Sequence, residues 1–465
     1  MMLGSIHPAR LTRSWRAHLL ATALMLSVVS VAGCTGSSRT TARGAATSAG
    51  AAVADAASSC LSYQGSCYAP YLFRVEYGIQ PLLDRGIDGR GATVALLDAA
   101  PPGPSASACP SPCTIVNGPE TSDIRRDLAA FDSEFRLPAA RIEVVTSLAG
   151  SASPWQVNDQ EVGDAEIVHA VAPAATLRLV LLPSNAMDSA ATATAGMIAG
   201  LRLAVSGTDV ASIGFGLGEH FFTAAQAAEM HSILLGAEAH HVTVVAGSGD
   251  NGGFSDTWWF GTAVKEVSLP ASDPLVLAAG GTMFTGNLSA GAYISETAWN
   301  AQNGSFSESL GASGSGFSHL YARPAYQDGV PGISAMRGVP DVAADADQQA
   351  GWAAELTTGG KTSIGSYSGT GAAAALWGDS WRWPTSTPIM TSASSIPPST
   401  ASPAAPATAR PSTTSRPVAT FRPSRIRPAR PYQAGPGWDP VTGWGSPDAQ
   451  VLVPLLARLA SRSTT

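Results

Sequence analysis

Short apolar stretches alternate along this chain with longer stretches whose apolar residues recur every three to four positions. The first kind of stretch predicts buried strands at Thr93–Asp98, Arg141–Thr146, Thr176–Leu182, Val210–Phe215 and Val242–Ala246. The second kind predicts helices, since positions three and four apart share a helix face, at Glu161–Ala172, Ala190–Val205 and Ala224–Ala239. Strands that alternate with helices favour a parallel sheet covered by helices on both faces. The sequence therefore predicts an α/β fold.

The first 34 residues have the pattern of an export signal. Three arginines between residues 10 and 16 precede the apolar stretch Leu19–Val31, which is too short to span a membrane. The stretch ends in a Val-Ala-Gly-Cys sequence at Cys34, which resembles a bacterial lipobox. We therefore predict a lipoprotein signal peptide over residues 1–34, and an exported protein held on the outer face of the cell membrane by a lipid on Cys34. An ordinary signal peptide with an incidental cysteine is the alternative.

Composition divides the remaining chain into four segments. Residues 35–65 are rich in Ala, Ser, Thr and Gly, and we predict a flexible tether there. Residues 66–377 carry the α/β pattern of the main domain. Residues 378–431 are dominated by Pro, Ser, Thr and Ala and are predicted to be disordered. Residues 432–465 resume a globular pattern, with a Gly/Trp-rich loop before a predicted helix at Asp448–Leu459.

Composition and charge narrow the classes of partner. Apolar residues make up 45% of the 465 residues, so a sizeable core is available, and the net charge is −7. Lysine occurs only at Lys265 and Lys361, and the folded part has no basic stripe. We therefore expect no nucleic acid partner.

Apart from Cys34, the chain has four cysteines. An even set in an oxidising compartment is typical of disulfides, most simply Cys60–Cys67 and Cys109–Cys113. A zinc site is the alternative, but no histidine lies near the second pair in the sequence.

Three segments carry residues suited to catalysis. Asp250 follows the predicted strand Val242–Ala246 in a turn of small residues, at the strand end where open α/β sheets place their sites; a capping Asp is the alternative. Gln160 and Asp164 share a helix face, where two carboxylates would relay a proton, but an amide cannot accept one. Gly371 lies in a small-residue turn before an Ala-rich helix, a place suited to a nucleophile. A glycine turn before an ordinary core helix is the alternative there.

Motifs in these and other segments resemble the sedolisin family, the serine-carboxyl peptidases. The matching stretches cover about 300 residues in family order and are Tyr77–Ile79, Asp132–Phe135, Asp164–Pro173, Ser248–Asp250, Pro270–Ser272, Gly280–Thr282, Glu296–Asn300, Gly314–Ser318 and Arg337–Asp345. The resemblance implies a subtilisin-like fold, a parallel sheet flanked by helices, and cleavage of polypeptides at acidic pH.

The resemblance also assigns roles to single positions. In the family a serine is the nucleophile, a glutamate is the general base, an aspartate four residues later orients that base, and another aspartate lines the oxyanion hole. By position, Asp164 matches the orienting aspartate and Asp250 the oxyanion aspartate. The base position is Gln160 and the nucleophile position is Gly371.

Loss of the nucleophile and the base removes the covalent step, so we predict that this chain is catalytically inactive. Glu161, three residues before Asp164, is a weak candidate for a substitute base. A solvated carboxylate on the helix surface is the alternative for Glu161.

The family also carries a calcium site near its C-terminus. Asp439, with the carbonyl groups of Gly435 and Gly437, resembles half of that site, and a solvated Gly/Pro turn is the alternative. The other half is absent where residues 378–431 stand. If the codons are read in a shifted frame, sequences that resemble those of the family can be obtained at Trp381–Thr385, Ser395–Thr400 and Pro411–Val418. This segment is therefore either the product of a frame slip or a genuine disordered insertion.

Three functional hypotheses follow from the sequence. The chain is a working serine-carboxyl peptidase with a substitute base or nucleophile, a non-catalytic peptide-binding lipoprotein, or a decayed gene product that does not fold. In the first two cases the partners are polypeptides, and the membrane is contacted through the lipid anchor only.

Overall fold

A computed structural model describes residues 66–99, 124–146, 159–183, 185–255, 264–287, 292–301, 311–348, 350–358, 361–378, 409–410 and 432–463. The described strands are β1 Ser66–Tyr68, β2 Thr93–Leu97, β3 Arg141–Thr146, β4 Thr176–Leu181, β5 Val210–Ile213, β6 Leu217–Gly218, β7 Thr243–Gly247, β8 Ser268–Leu269, β9 Leu277–Asn287, β10 Ala292–Ala298, β11 Gly316–Ala322, β12 Met336–Val339, β13 Val342–Asp345, β14 Ala350–Thr358, β15 Lys361–Tyr367, β16 Ala409–Arg410 and β17 Ser446–Pro447. The described α-helices are α1 Pro70–Glu76, α2 Gln80–Leu83, α3 Ile124–Phe135, α4 Asp159–Val171, α5 Ala190–Ala204, α6 Ala224–Ala239, α7 Thr370–Trp377 and α8 Ala449–Ser463.

The main sheet has the strand order β10-β9-β7-β5-β2-β4-β3, and β13 also pairs with β9. Every pair in it is parallel except β10 with β9. All residues of β5 and β7 are buried, as expected for central strands covered on both faces. Parallel strands bring their carboxyl ends to one edge, so Asp98, Gly214 and Ser248 follow three neighbouring strands at the same edge.

Helices cover both faces of this sheet. Residues of α4 and α7 belong to one large apolar cluster, and residues of α5 and α6 belong to the other. Ser189 and Thr223 begin α5 and α6 with side chains that accept the backbone N–H three residues on, which satisfies donors left unpaired at a helix start. Helix α7 is Ala-rich and is buried along its whole length. The predicted class, a parallel sheet flanked by helices, is confirmed.

Smaller sheets complete the fold. Strands β1, β14 and β15 form a three-stranded sheet, and β11–β12, β16–β17 and β6–β8 form pairs. The strand β15 leads directly into Gly369 and α7, so this sheet carries one wall of the candidate site. The described residues contain no helix long and apolar enough to cross a membrane.

Several sequence predictions lie outside the described residues. These are the signal peptide and lipidation at Cys34, the tether up to residue 65, and the segment 378–431 apart from Gly378 and β16. Cys67 is disulfide-bonded, whereas Cys60, Cys109 and Cys113 are not among the described residues, so the two predicted pairings stay predictions.

Candidate active site

Asp164 lies on α4 with its side chain fully buried. Its Oδ1 atom accepts a hydrogen bond of 2.8 Å from the hydroxyl of Tyr367, the last residue of β15. Burial raises the pKa of Tyr367 well above its ordinary value, and nearby carboxylates, Asp164 first, raise it further. The tyrosine therefore keeps its proton and acts as a donor. The Tyr367 ring covers Gly163, where a Cβ atom would lie 2.6 Å from the ring.

Asp98, at the end of β2, faces Asp164 across Gly214. A Cβ atom at Gly214 would overlap Oδ1 of Asp98 and would lie 2.7 Å from Oδ2 of Asp164, so the two carboxyl groups are neighbours. Burial raises the pKa of Asp98 well above its ordinary value, and the charges of Asp164 and Glu161 raise it further. Asp98 therefore keeps its proton and faces the carboxyl group of Asp164.

The pKa of Asp164 is raised to about 6, and burial is the largest cause. The hydrogen bond from Tyr367 and the neighbouring protonated carboxyl group of Asp98 oppose this rise because they stabilise the carboxylate. At neutral pH the pair Asp98–Asp164 thus shares one proton.

Sequence reasoning missed Asp98 as a site residue. An acid that ends a buried apolar strand at the catalytic edge of the sheet is the signal that could have found it.

Glu161 and Gln160 begin the same helix. Glu161 is only 1% exposed, so the alternative of a solvated surface carboxylate is wrong. Its charge raises the pKa of Asp98, which places it beside the carboxyl pair. Gln160 is half-buried. The structure thus brings Glu161 and Asp164 together, as their spacing on one helix predicts.

Asp250 lies beyond β7 and contacts the start of α7. Its Oδ1 atom accepts hydrogen bonds from the backbone N–H of Thr370 at 2.9 Å and from the Thr370 hydroxyl at 2.8 Å. The same hydroxyl accepts a bond of 3.1 Å from the N–H of Gly249. Asp250 is half-buried, and burial raises its pKa. Gly369 has a φ of 98°, and a Cβ atom there would lie 2.9 Å from Oδ2 of Asp250, so glycine is required on both counts.

Gly371 is the second residue of α7 and lies against the backbone of Gly214. A Cβ atom at Gly371 would lie 2.8 Å from the carbonyl oxygen of Gly214. Gly214 therefore touches the predicted nucleophile position with its carbonyl group and the pair Asp98–Asp164 with its Cα. The predicted site residues thus meet at one edge of the sheet, without a hydroxyl at position 371.

The loop that resembles half a calcium site is closed by its own hydrogen bonds. Oδ1 of Asp439 accepts from the N–H groups of Val441 (2.8 Å) and Thr442 (2.9 Å). Oδ2 accepts from the N–H of Gly435 (3.0 Å) and the hydroxyl of Thr442 (2.8 Å). Four donors use the four lone-pair directions of the carboxylate, and Gly435 turns its N–H towards it. The described residues contain no group of three or more His, Cys, Asp or Glu residues that could hold a metal. The residues present therefore do not fit a calcium ion.

A twisted parallel sheet with buried carboxyl groups and a helix start at its carboxyl edge defines a subtilisin-like α/β protein. The structure is similar to that of Pseudomonas sedolisin, a serine-carboxyl proteinase complexed with two molecules of pseudo-iodotyrostatin. The TM-score is 0.63 at 22% sequence identity, over 86% of this chain and 99% of that one. This likeness establishes the fold.

Sequence similarity to characterised proteins leads to the same family. The chain is 30% identical over 312 residues to kumamolisin of Bacillus sp. (strain MN-32), and 31% identical over 226 residues to sedolisin of Pseudomonas sp. (strain 101). No protein-family model matches the chain. The similarity to these two peptidases, together with the fold, supports the resemblance to the sedolisin family.

The similarity covers only part of each relative. The aligned residues are 64% of this chain and 51% of kumamolisin, and 46% of this chain and 35% of sedolisin. The chain thus spans about half or less of these relatives. Its own activity is a separate question from its family.

Proposed function

We propose that this chain is a sedolisin-type peptidase homologue that does not carry out acyl transfer. One observation carries the proposal: Gly371, at the predicted nucleophile position, has no side chain, and the carbonyl group of Gly214 lies against it. A serine peptidase needs a hydroxyl oxygen here to form the acyl-enzyme, and a hydrogen atom cannot replace it.

The state of the general base supports the same proposal. The amide of Gln160 cannot accept a proton at any useful pH. Glu161 is a buried carboxylate close to the carboxyl pair, but a base without a hydroxyl to activate does not start the reaction. The neighbouring hydroxyl of Thr370 already donates to Asp250 and accepts from Gly249, so it serves to hold Asp250.

The retained role that we propose is binding of polypeptide segments. The hydrogen bonds that join Asp250 to Thr370 at the start of α7 are in place, and Asp250 is half-buried rather than fully buried. Because burial raises its pKa, Asp250 is a hydrogen-bond donor to a peptide carbonyl at acidic pH. Peptide binding therefore fits this chain better than peptide cleavage.

The proposal is tested by a casein digest at about pH 4 and by labelling with a fluorophosphonate probe. We expect neither cleavage nor labelling by the unmodified chain, and micromolar to millimolar binding of casein peptides by calorimetry. The variant Gly371→Ala is the matched control and should behave like the unmodified chain in both reactions. Cleavage or a labelled residue in the unmodified chain would refute the proposal.

We further propose that the chain is exported and anchored by a lipid on Cys34. The arginine-rich start, the short apolar stretch and the Val-Ala-Gly-Cys sequence support this. Expression in a bacterium with radiolabelled palmitate should label the unmodified chain and leave Cys34→Ser unlabelled. Equal labelling of both, or of neither, would contradict the anchor.

A further inference from the structure

Tyr367 occupies the centre of the candidate site. Its hydroxyl donates to Oδ1 of Asp164, while the carboxyl group of Asp98 lies at Oδ2. Tyr367 of β15 therefore holds Oδ1, and Asp98, the residue after β2, lies beside Oδ2; neither residue is at the base position. The orientation of this carboxylate is therefore set by Tyr367 and Asp98 rather than by a side chain at position 160.

Packing around three glycines closes the same region. The ring of Tyr367 stands 2.6 Å from the place where a Cβ of residue 163 would be. Because Gly214 has no side chain, the carboxyl groups of Asp98 and Asp164 can lie close to its Cα atom. Its carbonyl oxygen would lie 2.8 Å from a Cβ atom at Gly371. Each contact requires the absence of a side chain at that glycine, and together these contacts pack Asp164, Asp98 and Tyr367 closely around Gly163 and Gly214.

We propose that Tyr367 is a positioning residue that fixes the orientation of Asp164 through its hydrogen bond to Oδ1, so that restoring the nucleophile and the base does not by itself restore catalysis. This inference rests on the proposed loss of acyl transfer. In this view, tertiary contacts around Asp164 keep the chain inactive in addition to the residues found at positions 160 and 371. Tyr367 acts through Asp164 and does not touch substrate.

The first test uses the unmodified chain and Tyr367→Phe. The substitution removes one oxygen atom and keeps the ring on Gly163, so the fold should persist. Carboxyl titration by carbon-13 NMR should show the pKa of Asp164 rising in Tyr367→Phe, because the lost hydrogen bond stabilised the carboxylate. The variant Tyr321→Phe, at a tyrosine remote in sequence and on β11, is the matched control and should leave that titration unchanged. An Asp164 titration that does not move in Tyr367→Phe would overturn the proposal.

The second test uses the double revertant Gly371→Ser/Gln160→Glu, with and without Tyr367→Phe. We expect the double revertant to react with a fluorophosphonate probe no faster than the unmodified chain between pH 3 and 7. Adding Tyr367→Phe should raise the labelling rate about 100-fold, the lower range of what a positioned general base contributes. A double revertant that labels as fast as the triple variant would overturn the proposed role of Tyr367.

The outcomes separate this inference from the proposed function. Labelling of the unmodified chain would refute the proposed loss of acyl transfer. Rapid labelling of the double revertant alone would leave that loss standing and refute only the role of Tyr367. If the triple variant does not fold, as judged by circular dichroism, the NMR titration and the rate of the double revertant decide the question.

Discussion

The carboxyl group of Asp164 makes the stability of this protein depend on pH in an unusual direction. Its pKa is about 6 in the folded chain, against an ordinary value of 3.8. A group that binds its proton more tightly when folded stabilises the fold below the unfolded pKa, and that contribution is lost as pH rises through the folded pKa. The contribution of Asp164 is therefore full at pH 3.8 and below, and disappears as pH rises through about 6.

The size of the effect follows from the shift. A rise from 3.8 to about 6 corresponds to about 3 kcal/mol at about 1.4 kcal/mol per pKa unit. Because Asp164 is fully buried, solvent does not screen this contribution. The perturbation is Asp164→Asn, which cannot titrate but keeps an acceptor for Tyr367 and a polar group towards Asp98.

Urea unfolding at several pH values, followed by tryptophan fluorescence, measures the effect. The unfolding free energy of the unmodified chain minus that of Asp164→Asn should fall by about 3 kcal/mol between pH 3 and pH 7. Titrating groups away from this pair are common to both proteins and largely cancel in this difference, whereas Asp98 is part of the measured effect because the charge of Asp164 raises its pKa. The same difference for Asp188→Asn, at an exposed aspartate, should stay nearly constant. A pH-independent difference for Asp164→Asn would refute the buried carboxyl pair.

Three further predictions concern packing and metal. Gly163→Ala should destabilise the fold by about 1–3 kcal/mol in thermal unfolding, because the new Cβ overlaps the ring of Tyr367; an unchanged midpoint would contradict this. Adding calcium or a chelator should leave the midpoint of thermal unfolding unchanged. Asp439→Ala should lower the free energy of unfolding by about 1–3 kcal/mol, because buried hydrogen-bond donors lose their acceptor. A midpoint that depends on calcium would be evidence against the closed loop. Arg337→Met should lower the free energy of unfolding by about 3–5 kcal/mol, because Asp341 is left buried without its bidentate partner. The double variant Arg337→Met/Asp341→Leu should recover part of that loss in the same urea assay.

Local patterns predicted the elements well because each of them depends on the spacing of residues along the chain. The strand predicted at Val242–Ala246 is β7, Thr243–Gly247, and the helix predicted at Asp448–Leu459 is α8, Ala449–Ser463. Motif order in the sequence also identified the family, which the similarity to kumamolisin and sedolisin confirms.

The candidate site was only partly predictable. Asp164, Asp250 and Gly371 could be named from motifs, because each stands at a fixed offset from neighbours in the chain. Glu161 was expected to be either a base or a solvated carboxylate, and its burial could not be read from the sequence because α4 is covered by elements from distant parts of the chain. The loop at Asp439 matched a ligand pattern, but a pattern does not say whether a carboxylate faces a cation or its own backbone.

The sequence by itself determined the α/β class, the family, and the absence of a hydroxyl and a carboxylate at positions 371 and 160, since these are properties of residue identity and order. Only the tertiary structure decided what surrounds Asp164. Asp98, Gly214 and Tyr367 come from three segments separated by more than a hundred residues each. Asp98 and Gly214 meet because neighbouring parallel strands end at one edge of the main sheet, and Tyr367 reaches Asp164 from β15, in the separate three-stranded sheet. The physical reason is that a carboxyl group's proton and partners depend on burial and on neighbours in space, which no local pattern contains.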